Sequence, residues 1–248
     1  MFGATLLRRR RTRHQGIDAD TGGKGAELRY DDWDRGCASD AVRNGFLVPN
    51  IVAFLDQARP DSILDVGSLT GFMARTISDK LTYSPDWTLL DRDPAAIEYA
   101  KAKLPSGMKV RFANAPLETW DSSERFGAAL LTFTLLEVQD QERTLKQIAS
   151  RVGPNGHLLL ALPDCLEDVI AEAESESSLE ILHEFVQADV ELPKVDKFTG
   201  EPYPFRARRS TRVISDTLAA GFALIDLIRD ASISEGTFLM NFRRHAHA

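Results

Sequence analysis

Ser62-Ile63-Leu64-Asp65-Val66-Gly67-Ser68-Leu69-Thr70-Gly71-Phe72 is the stretch that decides the fold. A short apolar run ending on glycine reads as a buried strand entering a turn. Residues 70–81 then place Met73, Ile77 and Leu81 on one helical face. The same unit recurs downstream. Trp87-Thr88-Leu89-Leu90-Asp91 predicts a second strand, and Pro94 opens a helix at the first-turn position that proline tolerates. That helix carries Ile97, Ala100 and Leu104 as its buried stripe. Residues 108–113 and 127–133 predict the third and fourth strands, and Leu145, Ile148, Ala149 and Val152 stripe the next helix. Gly153-Pro154-Asn155-Gly156 breaks it, and residues 157–162 predict a fifth strand. Strands alternating with helices imply an α/β fold around a parallel sheet.

Outward from this core the pattern changes. Residues 28–34 and 45–58 read as helices that could pack over one edge of the sheet. Beyond Pro163, Leu166, Val169, Ile170 and Ala173 predict one helix, and Leu179, Leu182 and Val186 a second. Residues 194–212 have no clear period and are rich in Pro, Arg and aromatics, so they read as a loop. Residues 213–220 predict a helix capped by Gly221, and residues 222–228 and 237–243 two closing strands. The expected organisation is a basic, flexible tail over residues 1–26 and one domain over 27–248. Within that domain, residues 28–58 and 164–212 are lid elements.

The 248 residues are 43% hydrophobic and 27% charged with a net charge of −7, a balance suited to a soluble globular chain. Five arginines, Arg8, Arg9, Arg10, Arg11 and Arg13, sit in the tail, leaving −12 on the rest. Residues 164–193 hold ten acids and no Lys or Arg, and residues 194–212 hold six basic residues against two acids. An acidic domain argues against nucleic acid as a general partner. No run is long enough to span a membrane. Cys37 and Cys165 support neither a disulfide framework nor a multi-cysteine zinc site, which points to a reducing, cytoplasmic setting.

In open α/β sheets, ligands bind beyond the carboxyl ends of the strands. Gly67-Ser68-Leu69-Thr70-Gly71 occupies that place, and Asp91 ends the second strand, where a carboxylate can accept ribose hydroxyls. The spacing is G-x-x-x-G rather than the G-x-G-x-x-G of a nicotinamide dinucleotide site, and the P-loop's G-K-[ST] is absent. In order and spacing these residues resemble class I S-adenosylmethionine-dependent methyltransferases. Ile63–Phe72 is similar to the family's first motif, and Leu89-Leu90-Asp91-Arg92-Asp93-Pro94 to its second strand with the acidic ribose ligand. Residues 126–163, including Leu135-Leu136-Glu137-Val138, are similar to its fourth strand, helix and fifth strand, and residues 212–243 fit the closing helix and hairpin more loosely.

The resemblance implies a Rossmann-like, doubly wound, seven-stranded and mostly parallel sheet with an antiparallel last strand, plus a helical lid insertion. It implies S-adenosylmethionine as cofactor, S-adenosylhomocysteine as product and no metal. Gly67, Ser68 and Gly71 would approach the methionine part, with Asp65 behind its ammonium group. Asp91 would hold the ribose with Arg92 beside the adenine, and Asn114, Ala115 and Pro116 would border that ring. Thr132 and Phe133 would lie beneath the sulfonium. Two positions depart from the family pattern: Leu69 replaces the middle glycine, and Pro116 stands where an Asp usually bonds the adenine amino group.

Thr132-Phe133-Thr134-Leu135 is not the N-P-P-Y-type tetrapeptide of enzymes that methylate bases or glutamine, and no Cys-Pro pair is present for attack on a pyrimidine. The expected acceptor is therefore a small molecule methylated on oxygen or nitrogen by direct displacement. Tyr30, Trp33, Tyr203 and Arg206 are candidates for lining its pocket, and His183 and Glu137 for a general base. Nucleic acid and membrane are not expected partners, and a homodimer is left open. Two other classes stay in view: a non-catalytic methyltransferase-like binding subunit, favoured by Leu69 and Pro116, and an RNA methyltransferase guided by the arginine tail.

Overall fold

The computed structural model describes residues 24–176, 178–195, 202–230 and 236–246. The arginine run and most of the 1–26 segment lie outside them. Helix α1 (Lys24–Ser39) leads through a π-helical segment, Val42–Leu47, into α2 (Val48–Ala58). The central series is β1 (Ser62–Val66), α3 (Phe72–Ser78), β2 (Asp86–Asp91), α4 (Pro94–Lys103), β3 (Val110–Asn114) and β4 (Phe126–Thr132). It continues with α5 (Gln141–Arg151) and β5 (Val152–Pro163). The insertion contains α6 (Leu166–Ser175), α7 (Glu180–Gln187), β6 (Val190–Val195) and β7 (Pro202–Ala207). The chain closes with α8 (Ser210–Ala219), β8 (Phe222–Asp230) and β9 (Thr237–Arg244).

Among the described residues, seven strands form one sheet in the order β3-β2-β1-β4-β5-β9-β8. The pairs from β3 to β5 are parallel, while β9 runs antiparallel to both β5 and β8. This is the doubly wound sheet with an antiparallel last strand that the family resemblance implies. Side-chain alternation sends neighbouring residues to opposite faces. Leu64, Leu158, Leu160 and Leu162 pack under α5 on one side, and Ile63, Leu159 and Ala161 join Ile51, Leu55 and Ile77 on the other. The order reverses between β1 and β4, which opens a crevice at their carboxyl ends.

Two sequence expectations need correction. Helix α5 stops at Arg151, but Gly153–Gly156 does not separate it from a later strand; it is a bulge inside β5, whose pairing jumps from Phe126↔Val152 to Ala128↔His157. A side chain at Gly156 would meet the Gly127 carbonyl at 2.9 Å, so the bulge closes only over glycine. Residues 194–195 and 202–207 are strand rather than loop and residues 210–212 open α8, while residues 196–201 lie outside the described residues. Strand β7 pairs antiparallel with β6, placing Val190, Leu192, Phe205 and Ala207 in the core while Glu191 and Pro193 face outward. Period-two burial supplies the driving force, and a two-stranded ribbon has free edges that accommodate Pro193, Pro202 and Pro204.

Asp93 joins α4 to α1. Its Oδ1 accepts the Ala95 and Ala96 N–H groups as an N-cap, and its Oδ2 accepts the Tyr30 hydroxyl. Losing a cap of this kind costs about 1 kcal/mol. Asp93→Ala should therefore lower the melting temperature by several degrees, and Asp93→Asn, which can still cap, by less; differential scanning calorimetry checks this ranking.

Candidate functional site

A cavity of about 730 Å³ opens at the switch point, walled by residues that follow four parallel strands. Gly67 and Leu69 come from the β1 loop, Asp91, Arg92 and Asp93 from β2, Ala115 and Pro116 from β3, and Thr132, Phe133 and Thr134 from β4. Tyr30 and Trp33 of α1 cover one side, and Arg206 of β7 reaches in from the ribbon.

Asp91 organises the crevice. It is buried, its Oδ2 accepts the Leu69 N–H at 2.7 Å and its Oδ1 the Asp93 N–H at 2.9 Å. Burial pushes its carboxyl upward against the lowering by these two bonds. Gly67 turns the chain out of β1 at φ +71°, and a side chain there would strike Thr134 at 2.8 Å. Thr134 is fixed in turn by donating its hydroxyl to the Val66 carbonyl at 2.7 Å. Bare backbone therefore faces the cavity at this point.

Leu69 also has a positive φ, +45°, so it keeps a left-handed conformation that glycine would adopt freely. Its side chain packs against the cluster of Tyr30, Ala96 and Tyr99 while still bordering the cavity. Phe133 is left-handed as well, at φ +65°, and Arg43 of the π-helical segment lies between its ring and that of Trp33, at 5.0 and 5.5 Å from the two centroids. Asp40 braces Arg43 by accepting from its backbone N–H and its guanidinium. Strained residues converging on one cavity are a common mark of function.

Asp65 lies behind the glycine loop, 1% exposed, with Oδ2 lacking any hydrogen-bond partner. Burial, reinforced by the Asp91 charge, raises its carboxyl to about 7. An unpartnered buried carboxylate suits a cationic ligand group approaching the loop.

Several candidate residues sit elsewhere than the cavity wall. Gly71 is the left-handed residue before α3 and packs against Leu89, Ala100 and Leu104. Ser68 is buried with its hydroxyl unpartnered, and Asn114 donates to the Asp91 backbone carbonyl at 3.1 Å, bracing the end of β2. His183 is exposed on α7 and does not line the cavity, because that helix turns Phe185 inward. Glu137 does line it and pairs with Arg92 at 3.2 Å. Arg206 pairs with Glu191 at 3.0 Å. The backbone of Tyr203 lies in β7, and its side chain is outside the described residues. Sequence reading passed over Arg43 and named Arg208 only as one of four arginines, with Arg206, Arg209 and Arg212, that could form a cationic pocket or answer the acids of residues 164–193. Arg43 had a signal in its place just before an apolar helix; Arg208 had none that set it apart from the other three arginines. Among the described residues, no group of three or more His, Cys, Asp or Glu side chains is placed to hold a metal ion.

A family model described as a methyltransferase domain matches residues 41–195. Comparison with curated protein sequences finds no significant match. Among solved structures, the chain is similar to the N-methyltransferase NodS from Bradyrhizobium japonicum WM9 in complex with S-adenosylhomocysteine, at 14% identity and TM-score 0.56, covering 87% of this chain and 98% of that one. It is similar to magnesium protoporphyrin IX methyltransferase from Synechocystis PCC 6803, at 12% identity and TM-score 0.63 over 88% and 94%. The 1,6-didemethyltoxoflavin-N1-methyltransferase of Burkholderia thailandensis, bound to 1,6-didemethyltoxoflavin and S-adenosylhomocysteine, aligns at 18% identity and TM-score 0.55 over 92% and 93%. At such identities the likeness establishes the fold.

Asp65 generates a pH prediction for the ligand-free protein. Its folded-state proton affinity is raised, so folding takes up a proton that the unfolded chain releases between about pH 4 and pH 7. Its contribution to stability is present below pH 4 and is lost as pH rises through about 7, by roughly 2–4 kcal/mol. Asp65→Asn removes this dependence. The difference in melting temperature between variant and wild type should therefore shift in the variant's favour from pH 5 to pH 8, as thermal scans across that range would record.

Proposed function

The chain belongs to the methyltransferase-domain family, and from that premise we propose that it transfers the methyl group of S-adenosylmethionine to oxygen or nitrogen of a small molecule. The observation that carries this reading is the pair of buried carboxylates, Asp91 and Asp65, flanking a side-chain-free turn at Gly67. Their donor and charge requirements fit the cofactor. Each Asp91 oxygen accepts one backbone N–H and retains a lone pair for a ribose hydroxyl. The unpartnered Asp65 oxygen suits the ammonium group, and bare backbone at Gly67 suits close approach of the amino-acid chain. Ala115 and Pro116 offer an apolar edge to the adenine, with Arg92 held beside it by Glu137. Thr132 and Phe133 border the cavity floor. Leu69 is compatible with this arrangement, since its side chain is absorbed by the Tyr30–Tyr99 cluster. Ser68, Gly71 and Asn114 act from behind the wall, holding the loop and the end of β2.

When bound, S-adenosylmethionine supplies an electrophilic methyl group on a sulfonium. What the chain contributes is alignment and exclusion of water. Tyr30 and Trp33 close one side, and Arg43, Phe133 and Arg206 frame the space left for the acceptor. A base is needed only if the nucleophile arrives protonated. Glu137 is the candidate at the wall, although its carboxylate already serves Arg92. His183 has no part in this reading.

Calorimetric titration tests the cofactor assignment. Wild type should bind S-adenosylmethionine and S-adenosylhomocysteine with micromolar affinity. Asp91→Ala should weaken both by about a hundredfold, since it removes the proposed ribose acceptor and releases the Leu69 and Asp93 N–H groups together, a loss of about 3 kcal/mol. Unchanged affinity in that variant would sink the assignment.

A further inference from the structure

Arg208 is a fully buried charged side chain, 1% exposed, at the end of the ribbon and about seventy residues after the turn that follows β4. A buried guanidinium must have its donors satisfied. Its Nε donates to the Leu135 carbonyl at 2.8 Å and its Nη2 to the Val138 carbonyl. Its Nη1 serves both the Gln141 side-chain oxygen at 3.2 Å and the Asp189 carboxylate. One side chain thus grips the single helical turn after β4 (Thr134–Glu137), the start of α5 and the base of the ribbon. Gln141 carries the link onward, donating to Asp216 of α8 at 2.6 Å.

That turn bears on the cavity at two points. Thr134 lies where a Gly67 side chain would go, tied to the end of β1, and Glu137 pairs with Arg92 on the opposite side. The turn follows the left-handed Phe133 and lacks a side-chain cap, so apart from the buried Leu135 and Leu136 and the Thr134 hydroxyl on the Val66 carbonyl, its depth is set by the grip of Arg208 on its carbonyls. We propose that Arg208 is a positioning residue for the cofactor site: by holding the Leu135 and Val138 carbonyls it sets how closely Thr134 and Glu137 approach Gly67 and Arg92. The insertion is thereby part of the cofactor wall as well as a cover for the acceptor. This rests on the adenosyl reading of the cavity proposed above.

The test is S-adenosylhomocysteine affinity in a double-mutant cycle. Arg208→Lys keeps the charge but loses the planar fork, and should weaken binding about tenfold in protein whose circular dichroism is unchanged. Arg212→Gln is the control. Arg212 also reaches Asp189, at 3.6 Å, but its other ion-pair partner is Asp216 of its own helix rather than a group of the turn, so affinity should hold. Thr134→Ala combined with Glu137→Gln removes both groups through which Arg208 is proposed to act. On that background Arg208→Lys should cost at most about twofold. Equal losses on both backgrounds, or no loss in Arg208→Lys alone, would mean that the arginine only stabilises the fold. If Arg208→Lys does not fold, Asp189→Asn loosens the anchor from the ribbon side. It should weaken binding severalfold, and unchanged affinity there overturns the proposal. Absence of binding to wild type would instead remove the cofactor reading itself.

Discussion

The carboxylate of Asp91 is the interaction on which the crevice depends. One oxygen holds the N–H of Leu69 and the other that of Asp93, so a single side chain fixes both the turn after β1 and the entry to α4. Leu69 is left-handed, a conformation that costs a non-glycine residue roughly 1–2 kcal/mol. The bond from Asp91 and the packing of the Leu69 side chain on Tyr30 and Tyr99 offset that cost. With the turn fixed, Gly67 presents backbone to the cavity and Asp65 remains behind it without a partner. Asp93, placed by the same carboxylate, then caps α4 and receives Tyr30 from α1.

On the far side the constraint is different. The wall after β4 begins at the left-handed Phe133 and is secured from outside by Arg208 and from inside by Thr134 on the Val66 carbonyl. The crevice is thus bounded by one face anchored through a carboxylate and another anchored through a guanidinium. Asp91 is satisfied by backbone N–H groups, and Arg208 by two backbone carbonyls together with the Gln141 and Asp189 side chains. The basic residues of the ribbon and of the start of α8 also answer the acids of the insertion. Arg208 and Arg212 meet Asp189, Arg206 meets Glu191, and Lys194 meets Asp168.

The sheet was legible because buried parallel strands are continuous apolar runs, and Ser62–Val66, Trp87–Asp91 and the leucines after His157 are such runs. Gly67 and Asp91 were legible for a related reason: a strand must end, and what ends it faces the crevice. Where the sequence read Lys194–Arg212 as a loop, prolines masked a short period-two pattern that becomes visible only once Val190 and Phe205 share a core. Gly71 carries the same residue type as Gly67 but serves helix packing, a difference set by Leu89 and Leu104 lying against it. Nothing local separates Arg208 from Arg206, Arg209 and Arg212. Its burial is decided by carbonyls about seventy residues earlier in the chain. His183 reads as a pocket residue only if its helix turns that face inward, and Phe185 holds it the other way.

The most direct measurement is a crystal structure with S-adenosylhomocysteine at saturating concentration. The expected result places both ribose hydroxyls on the Asp91 carboxylate, the amino-acid end along Gly67 toward Asp65, and the adenine between Pro116 and Arg92. Ligand bound away from Asp91, or an empty crevice at saturating ligand, would contradict the assignment of this cavity as the cofactor site.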